Sequence, residues 1–291
     1  MINKLVIIGV GLIGGSLARA LKRAGACKEI VGSGRSEAQL QKAVALGVID
    51  RYEMDARLAV QGADVVVLAV PVGAVEAVLQ QIAGQLAPHT IVTDVGSTKA
   101  SVVEAVRRVF GAIPPNFVPG HPIAGTEQNG VEASHVDLFQ QRRVVLTPLA
   151  TTDIEAVAKV RAMWQCTGAE VITMDVAHHD EVLAATSHLP HLLAYTLVDM
   201  LARMDKSEEL FQFAASGFRD FTRIAGSNPQ MWCDICLANP TAIMAALDQF
   251  GDELERLKAA IHQQDSQAIL ALFTRAQAVR NRLNETLPVG K

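Results

Sequence analysis

Aromatic residues are scarce in this chain, only 4% of its 291 residues, with two tryptophans and two tyrosines among them. The core must then be filled by Leu, Val, Ile and Ala, a composition that suits helices packed on a parallel sheet. Cysteine is rarer still. Cys27, Cys166, Cys233 and Cys236 are too few for a disulfide framework in a chain of this length. Charge is close to balanced, with a formal net of −4 and no run of one sign, which excludes the basic stripe that a nucleic-acid surface requires. Apolar runs such as residues 65–70 are strand-length, far short of the ~20 residues of a membrane helix. No charged-then-apolar leader precedes the first strand. These absences predict a cytoplasmic protein in a reducing compartment, with no membrane and no nucleic-acid partner.

What is present is a hydrophobic half of the sequence, enough for about two cores. The first part alternates between short β-branched runs and amphipathic stretches. Strands are predicted at residues 5–9, 29–32, 64–70, 90–95, 117–119, 143–147 and 170–174. Helices are predicted at 13–23, 37–46, 74–86, 98–110 and 154–166. Continuous apolar strands alternating with helices argue for an α/β fold with a doubly wound parallel sheet. From about Asp175 no strand pattern follows. Residues 179–204 carry a long helical pattern that Pro190 should kink or break. Further helices are predicted at 230–237, 241–262 and 266–286. The expectation is a Rossmann-type dinucleotide-binding domain over 1–174 and an all-helical substrate and dimerisation domain over 175–291. The long apolar helical faces predict a homodimer through the C-terminal helices.

Gly9-Val10-Gly11-Leu12-Ile13-Gly14 matches G-x-G-x-x-G and sits where a strand should hand over to a helix. Gly9 allows the tight turn, Gly11 the approach of a pyrophosphate, and Gly14 the close packing of helix on strand. The N–H groups from Leu12 and Ile13 onward then face the phosphates. At the second strand's end the chain reads Ser33-Gly34-Arg35-Ser36, without the carboxylate that usually accepts from an NAD ribose. Arg35 would attract a 2′-phosphate, and Ser33 and Ser36 could donate to it. This favours NADP, while NAD stays possible if Arg35 stacks on the adenine. Val70 and Pro71, at the next strand end, complete the expected cofactor-binding set.

Three clusters look chemical. Asp94-Val95-Gly96-Ser97-Thr98-Lys99 closes a strand, where open α/β sheets face their ligand. Ser97 and Thr98 could cap the next helix or offer a hydroxyl to a substrate. Gly120-His121-Pro122-Ile123-Ala124-Gly125-Thr126-Glu127 places a histidine on what reads as a restrained loop, suited to acid–base work near neutral pH. Ser187-His188-Leu189-Pro190-His191 and Gly217-Phe218-Arg219-Asp220-Phe221-Thr222-Arg223 combine histidine and arginine with apolar residues, a setting for carboxylate recognition.

Taken together, these stretches resemble the prephenate/arogenate (cyclohexadienyl) dehydrogenase family of tyrosine biosynthesis. The matching segments are residues 6–17, 65–72, 92–99, 120–126, 187–195, 217–225 and 229–232. The resemblance implies an oxidoreductase that decarboxylates prephenate or arogenate while passing a hydride to NAD(P)+. It implies that His121 accepts from the substrate ring hydroxyl and that Ser97 assists there. It implies that Arg223 binds a substrate carboxylate, with His188, Glu127 and Thr126 in the substrate pocket. Two positions depart from the family pattern: Ser216 stands where glycine is common, and Cys233 where arginine is common.

Other signals carry less. The C-x-x-C spacing of Cys233 and Cys236 has no second pair, which argues against zinc or redox use. In His178-His179-Asp180-Glu181 neighbouring side chains diverge on a helix, so a shared metal is not expected, and Asp180 and Glu181 fit the start of their own helix. No metal is called for. A β-hydroxyacid or pyrroline-carboxylate type reductase shares this domain plan. It would need a lysine donor on a later helix, and residues 187–198 contain none. A non-catalytic NADP-sensing regulator would keep the glycine loop without needing His121, Ser97 and Arg223 together.

Overall fold

The computed structural model describes residues 1–205 and 207–286. The chain begins with β1 (Ile2–Ile8), α1 (Leu12–Arg23), β2 (Cys27–Ser33), α2 (Glu37–Ala45), β3 (Arg51–Tyr52), α3 (Ala56–Ala59), β4 (Val65–Leu68) and α4 (Val75–Ile82). It continues with β5 (Ile91–Asp94), α5 (Ala100–Phe110), β6 (Phe117–Val118), β7 (Gly120–Pro122), β8 (Arg143–Leu146), α6 (Ile154–Gln165) and β9 (Glu170–Thr173). The first six strands form one parallel sheet in the order β3-β2-β1-β4-β5-β6. The order reverses between β1 and β4, and there the carboxyl ends of the strands open a crevice.

Strand periodicity explains the two-sided core. Leu5 and Ile7 point into one layer with Leu17, Leu21 and Trp164, whereas Val6 and Ile8 point into the other with Leu79, Ile82 and Val106. Both faces of β1 are covered, so its run is continuously apolar and not alternating. Three aromatics help fill that core, Phe117, Phe139 and Trp164, and Trp164 is fully buried edge-on to Phe139, ring centres 5.1 Å apart.

The later strands depart from the single parallel sheet that the sequence suggests. After β6 the chain leaves that sheet at Pro119, and β7 pairs antiparallel with β8, which pairs parallel with β9. Two short elements, β3 and α3, carry too few residues for a periodic pattern and escape sequence reading.

Beyond β9 the described elements are helices: α7 (Val176–Leu183), α8 (Leu189–Ala202), α9 (Ser207–Gln212), α10 (Ser216–Thr222), α11 (Pro229–Ala238), α12 (Pro240–His262) and α13 (Ser266–Thr286). The expected break near Pro190 appears one turn earlier, as a π-helical stretch Ala184–His188 that joins α7 to α8. Pro190 follows that stretch inside a continuous helix, and the widened π turn just before it accommodates a residue with no N–H to donate. No helix among the described residues is long and apolar enough to cross a membrane. By compactness the chain divides at 243/244. Residues 1–243 hold both sheets and the helices through α11. The second unit, from Met244, holds the rest of α12 and α13, and it exposes Met244, Leu254, Ile261, Leu270 and Phe273.

Candidate active site

The β1–α1 turn is built for close approach. Gly9 has φ +101°, and a Cβ there would overlap the Ala69 carbonyl. A Cβ on Gly14 would overlap the Gly9 carbonyl and stand 2.8 Å from Ile7 Cγ2. Gly11 is different: nothing lies within 4 Å of its Cβ direction, and as N-cap of α1 it supplies no side-chain cap. The side chains of Leu12 and Ile13 pack against the core, so their main chain is what the turn presents. An uncapped helix start beside open space fits a dinucleotide pyrophosphate.

Along the same edge, β2 ends in Ser33, whose buried hydroxyl has no hydrogen-bond partner. Arg35 is exposed. Ser36 caps α2, its Oγ accepting from Gln39 N at 3.4 Å, which leaves its own hydrogen free to donate. Val70 and Pro71 follow β4, where Ala69 N donates to Ile8 O at 2.8 Å.

Farther along that edge, β5 ends in the fully buried Asp94. Its carboxylate accepts from Gly96 N at 2.8 Å and Gly120 N at 3.1 Å, and forms an ion pair with the equally buried Lys99. Lys99 Nζ also donates to Gly120 O at 2.7 Å. Burial lowers the Lys99 pKa, while the Asp94 and Asp180 carboxylates oppose the fall. This buried pair fixes both main-chain groups of Gly120 and so places the next residue, His121. That histidine stands on β7 and not on a loop as its glycine–proline context suggests, because residues 120–122 pair with β8.

His121 is buried, and its Nδ1 lies 2.9 Å from His179 Nε2. His179 Nδ1 in turn lies 2.8 Å from Asp180 Oδ1. Burial first, and then the neighbouring His179, Lys99 and His188, push the His121 pKa well below the ordinary imidazole value. The ring is therefore neutral near pH 7 and has a proton-accepting form available.

The start of α5 is capped by neither Ser97 nor Thr98. Thr98 Oγ1 meets Ser101 Oγ at 2.7 Å. The helix is capped instead by Asp180, which accepts from Lys99 N at 2.8 Å and Ala100 N at 2.9 Å. Asp180 thus holds the start of another helix, not of its own α7 as the sequence suggests. Burial opposes its ionisation, but the bonds from His179 and from the Ala100 and Lys99 main chain outweigh this and lower its pKa. Ser97 is left half-buried beside this start.

His188 closes the π-helical turn and is 1% exposed, yet neither ring nitrogen has a hydrogen-bond partner. Burial depresses its pKa to about 4, with Asp180 pulling the other way; the Ser97 main chain lies near the ring without bonding geometry. Trp232 stands edge-on to His188 at 6.1 Å and stacks on His191 at 3.8 Å. His191 Nδ1 donates to Ser187 O at 2.9 Å, and the Arg223 charge lowers its pKa after burial does. Arg223 sits in the single turn after α10 and pairs with Glu127 at 3.1 Å. Thr126, beside Glu127, is exposed, and its Oγ1 accepts from Gln128 N at 3.2 Å.

Of the sequence-predicted residues, His121 and the Ser97 main chain lie near His188, and Glu127 pairs with Arg223, whose charge reaches His191. Four residues of the centre lie in stretches that the sequence singled out without giving them these roles: Asp94, Lys99, His179 and Asp180. Their partners are far away in the chain, so residue type and spacing alone do not reveal them. Among the described residues no group of three or more His, Cys, Asp or Glu is arranged to hold a metal ion.

Comparison with known proteins fits this geometry. Residues 17–173 match the family model described as prephenate dehydrogenase, nucleotide-binding domain, and residues 175–275 match prephenate dehydrogenase, dimerization domain. The chain is 40% identical over 282 residues to a cyclohexadienyl dehydrogenase of Zymomonas mobilis, covering 95% of this chain and 94% of that one. Among solved structures it is similar to prephenate dehydrogenase from A. aeolicus in complex with hydroxyphenyl propionate and NAD+. That likeness has a TM-score of 0.91 and 35% identity, and covers 97% of this chain and 99% of that one. A Synechocystis arogenate dehydrogenase is similar with a TM-score of 0.80 and 30% identity, covering 96% of this chain and 99% of that one. These likenesses do not favour the β-hydroxyacid reductase or the non-catalytic regulator. The chain belongs to the prephenate dehydrogenase family and is an NAD(P)-dependent dehydrogenase.

Proposed function

We propose that this enzyme oxidatively decarboxylates prephenate, arogenate or both, giving 4-hydroxyphenylpyruvate or tyrosine. The observation that carries the reading is a buried His121, placed by the Asp94–Lys99 pair at the end of β5, in the sheet whose β1 ends in the glycine turn. In this reading His121 takes the proton of the ring hydroxyl as the carbinol carbon gains carbonyl character. Ser97, half-buried beside α5, contacts the same hydroxyl. The nicotinamide cofactor, when bound, would supply the acceptor for the hydride that leaves this carbinol carbon. Carbon dioxide then leaves and the ring becomes aromatic, which makes the reaction effectively irreversible. Arg223 holds a substrate carboxylate, and His188, Glu127 and Thr126 complete the pocket.

Gly9, Gly11, Leu12, Ile13 and Gly14 would hold the pyrophosphate, with Val70 and Pro71 beside it. Ser33, Arg35 and Ser36 would hold the adenosine end. NADP is favoured over NAD, supported by the exposed Arg35, the unpartnered Ser33 hydroxyl and the absence of a carboxylate at this strand end. Residues 1–174 then form the dinucleotide-binding domain and 175–291 the helical substrate and dimerisation domain. The exposed apolar side chains of α12 and α13 support a homodimer through these helices, and the small number of cysteines supports a cytoplasmic setting.

An assay grid of prephenate and arogenate against NAD+ and NADP+, read by nicotinamide absorbance, tests the proposal. His121→Asn should abolish turnover on every active pair while leaving dinucleotide affinity nearly intact. A variant with near-normal turnover removes His121 from the mechanism. Arg35→Ala should weaken NADP+ more than NAD+, and equal loss refutes the NADP preference.

A further inference from the structure

We propose that His179 and Asp180 form a positioning dyad that fixes the Nδ1–H tautomer of His121 and so leaves its Nε2 lone pair for the substrate. The inference rests on the reading of His121 as the base, and it adds two residues that hold that base without touching the substrate.

The argument runs outward from the carboxylate. Asp180 is anchored by two main-chain donors at the start of α5, Lys99 N and Ala100 N, and by Asn239 Nδ2, which donates to the Asp180 carbonyl at 2.9 Å. The two main-chain donors belong to a helix N-terminus, which favours negative charge, so the carboxylate is ionised and can only accept. His179 Nδ1, 2.8 Å from Asp180 Oδ1, must therefore carry the hydrogen. In a neutral imidazole the other nitrogen is then an acceptor. His179 Nε2 thus presents a lone pair, and the nitrogen 2.9 Å away, His121 Nδ1, must be the donor. The remaining nitrogen of neutral His121, Nε2, is left with its lone pair. When Nε2 takes a proton, the Nδ1–H bond to His179 stays in place, and the fixed charge of Asp180 stabilises the imidazolium without moving to it.

Without this chain an imidazole prefers the opposite tautomer, and His121 would point a hydrogen at the hydroxyl whose proton it must accept. The burial of His179, 0% exposed, keeps water from substituting as the acceptor. The groups facing the pair are Lys99 from the start of α5 and His188 from the π-helical turn. Neither makes a hydrogen bond to either ring.

The test uses the full-length enzyme labelled with ¹⁵N-histidine. The His121 resonances are assigned by difference against His121→Gln, and the tautomer is read without substrate. Wild type should show Nδ1–H at His121. His179→Leu removes the acceptor at similar volume and should move His121 to Nε2–H. His179→Gln, whose amide oxygen reaches the position of the lost Nε2, should restore Nδ1–H. With saturating prephenate, the leucine variant should lose about 10²- to 10³-fold in kcat with little change in KM, and the glutamine variant should recover at least about tenfold of that loss. Wild-type His121 found as Nε2–H, or a leucine variant that keeps Nδ1–H, overturns the proposal. If the tautomer moves as expected and turnover does not, the dyad stands and the assignment of His121 as the base falls.

Discussion

Replacing His188 by leucine should make this enzyme more stable and less active, and the effect should grow as pH falls. The ring is 1% exposed, and both of its nitrogens lack partners. A buried polar group without a hydrogen bond costs about 1–3 kcal/mol. Leucine has similar bulk and no polar atoms, and it forfeits an edge-on contact with Trp232 worth about 1 kcal/mol at most. The net gain near neutrality is therefore roughly 0–2 kcal/mol. The pH dependence is sharper. Burial depresses the folded-state pKa to about 4 from the ordinary imidazole value of 6.5, so the unfolded chain binds the proton first. Stability contributed by the neutral ring is present above the unfolded value and is lost as pH falls towards the folded one. Between about pH 7.5 and about pH 5 this single group removes about 2 kcal/mol, and His121, depressed in the same direction, adds to the slope. Urea unfolding followed by the fluorescence of Trp164 and Trp232 reads the same compact unit as His188. The variant should lose about 2 kcal/mol less than wild type over that interval, and its turnover should drop. An unchanged acid slope, or a variant clearly weaker at neutral pH, would refute the picture of His188 as an unpartnered buried base.

Three further perturbations follow from the geometry. Lys99→Met strands Asp94 in the interior and should cost about 3–5 kcal/mol. For a unit of this size that is a fall of roughly 6–20 °C in Tm, so calorimetry showing less than a few degrees would mean that water reaches the carboxylate. Gly11→Ala and Gly14→Ala should separate binding from folding. The first adds a methyl to open space and should keep Tm while weakening nucleotide affinity. The second overlaps the Gly9 carbonyl and should cost about 1–3 kcal/mol, and equal thermal effects would contradict the assignment. Arg223→Ala should raise KM for prephenate about 10- to 100-fold through loss of a charge-assisted bond, with little change in stability because its pair with Glu127 is largely exposed. Unchanged saturation would remove Arg223 from the substrate pocket.

The alternation of strands and helices, the glycine turn and the change to helix near residue 175 were legible in the sequence because they rest on local rules. Side-chain period separates strand from helix, and Gly9 and Gly14 are required by their immediate backbone. His121, Ser97 and Arg223 could be singled out by motif and residue type. How they are arranged could not, because hydrogen bonds across 58 or 81 residues leave no periodic mark. Asp180 reads as an ordinary residue near a helix start, yet it closes the start of α5 and orients His179. His121 reads as a loop residue and is a strand residue, because its partner β8 lies more than twenty positions away. The sequence by itself determined the longer strands and helices and the place of the glycine turn, since these follow from backbone propensity and side-chain period. Only the tertiary structure decided which buried charges meet, because burial turns each polar side chain into a group that must find a partner, and that partner comes from wherever the fold brings the chain back.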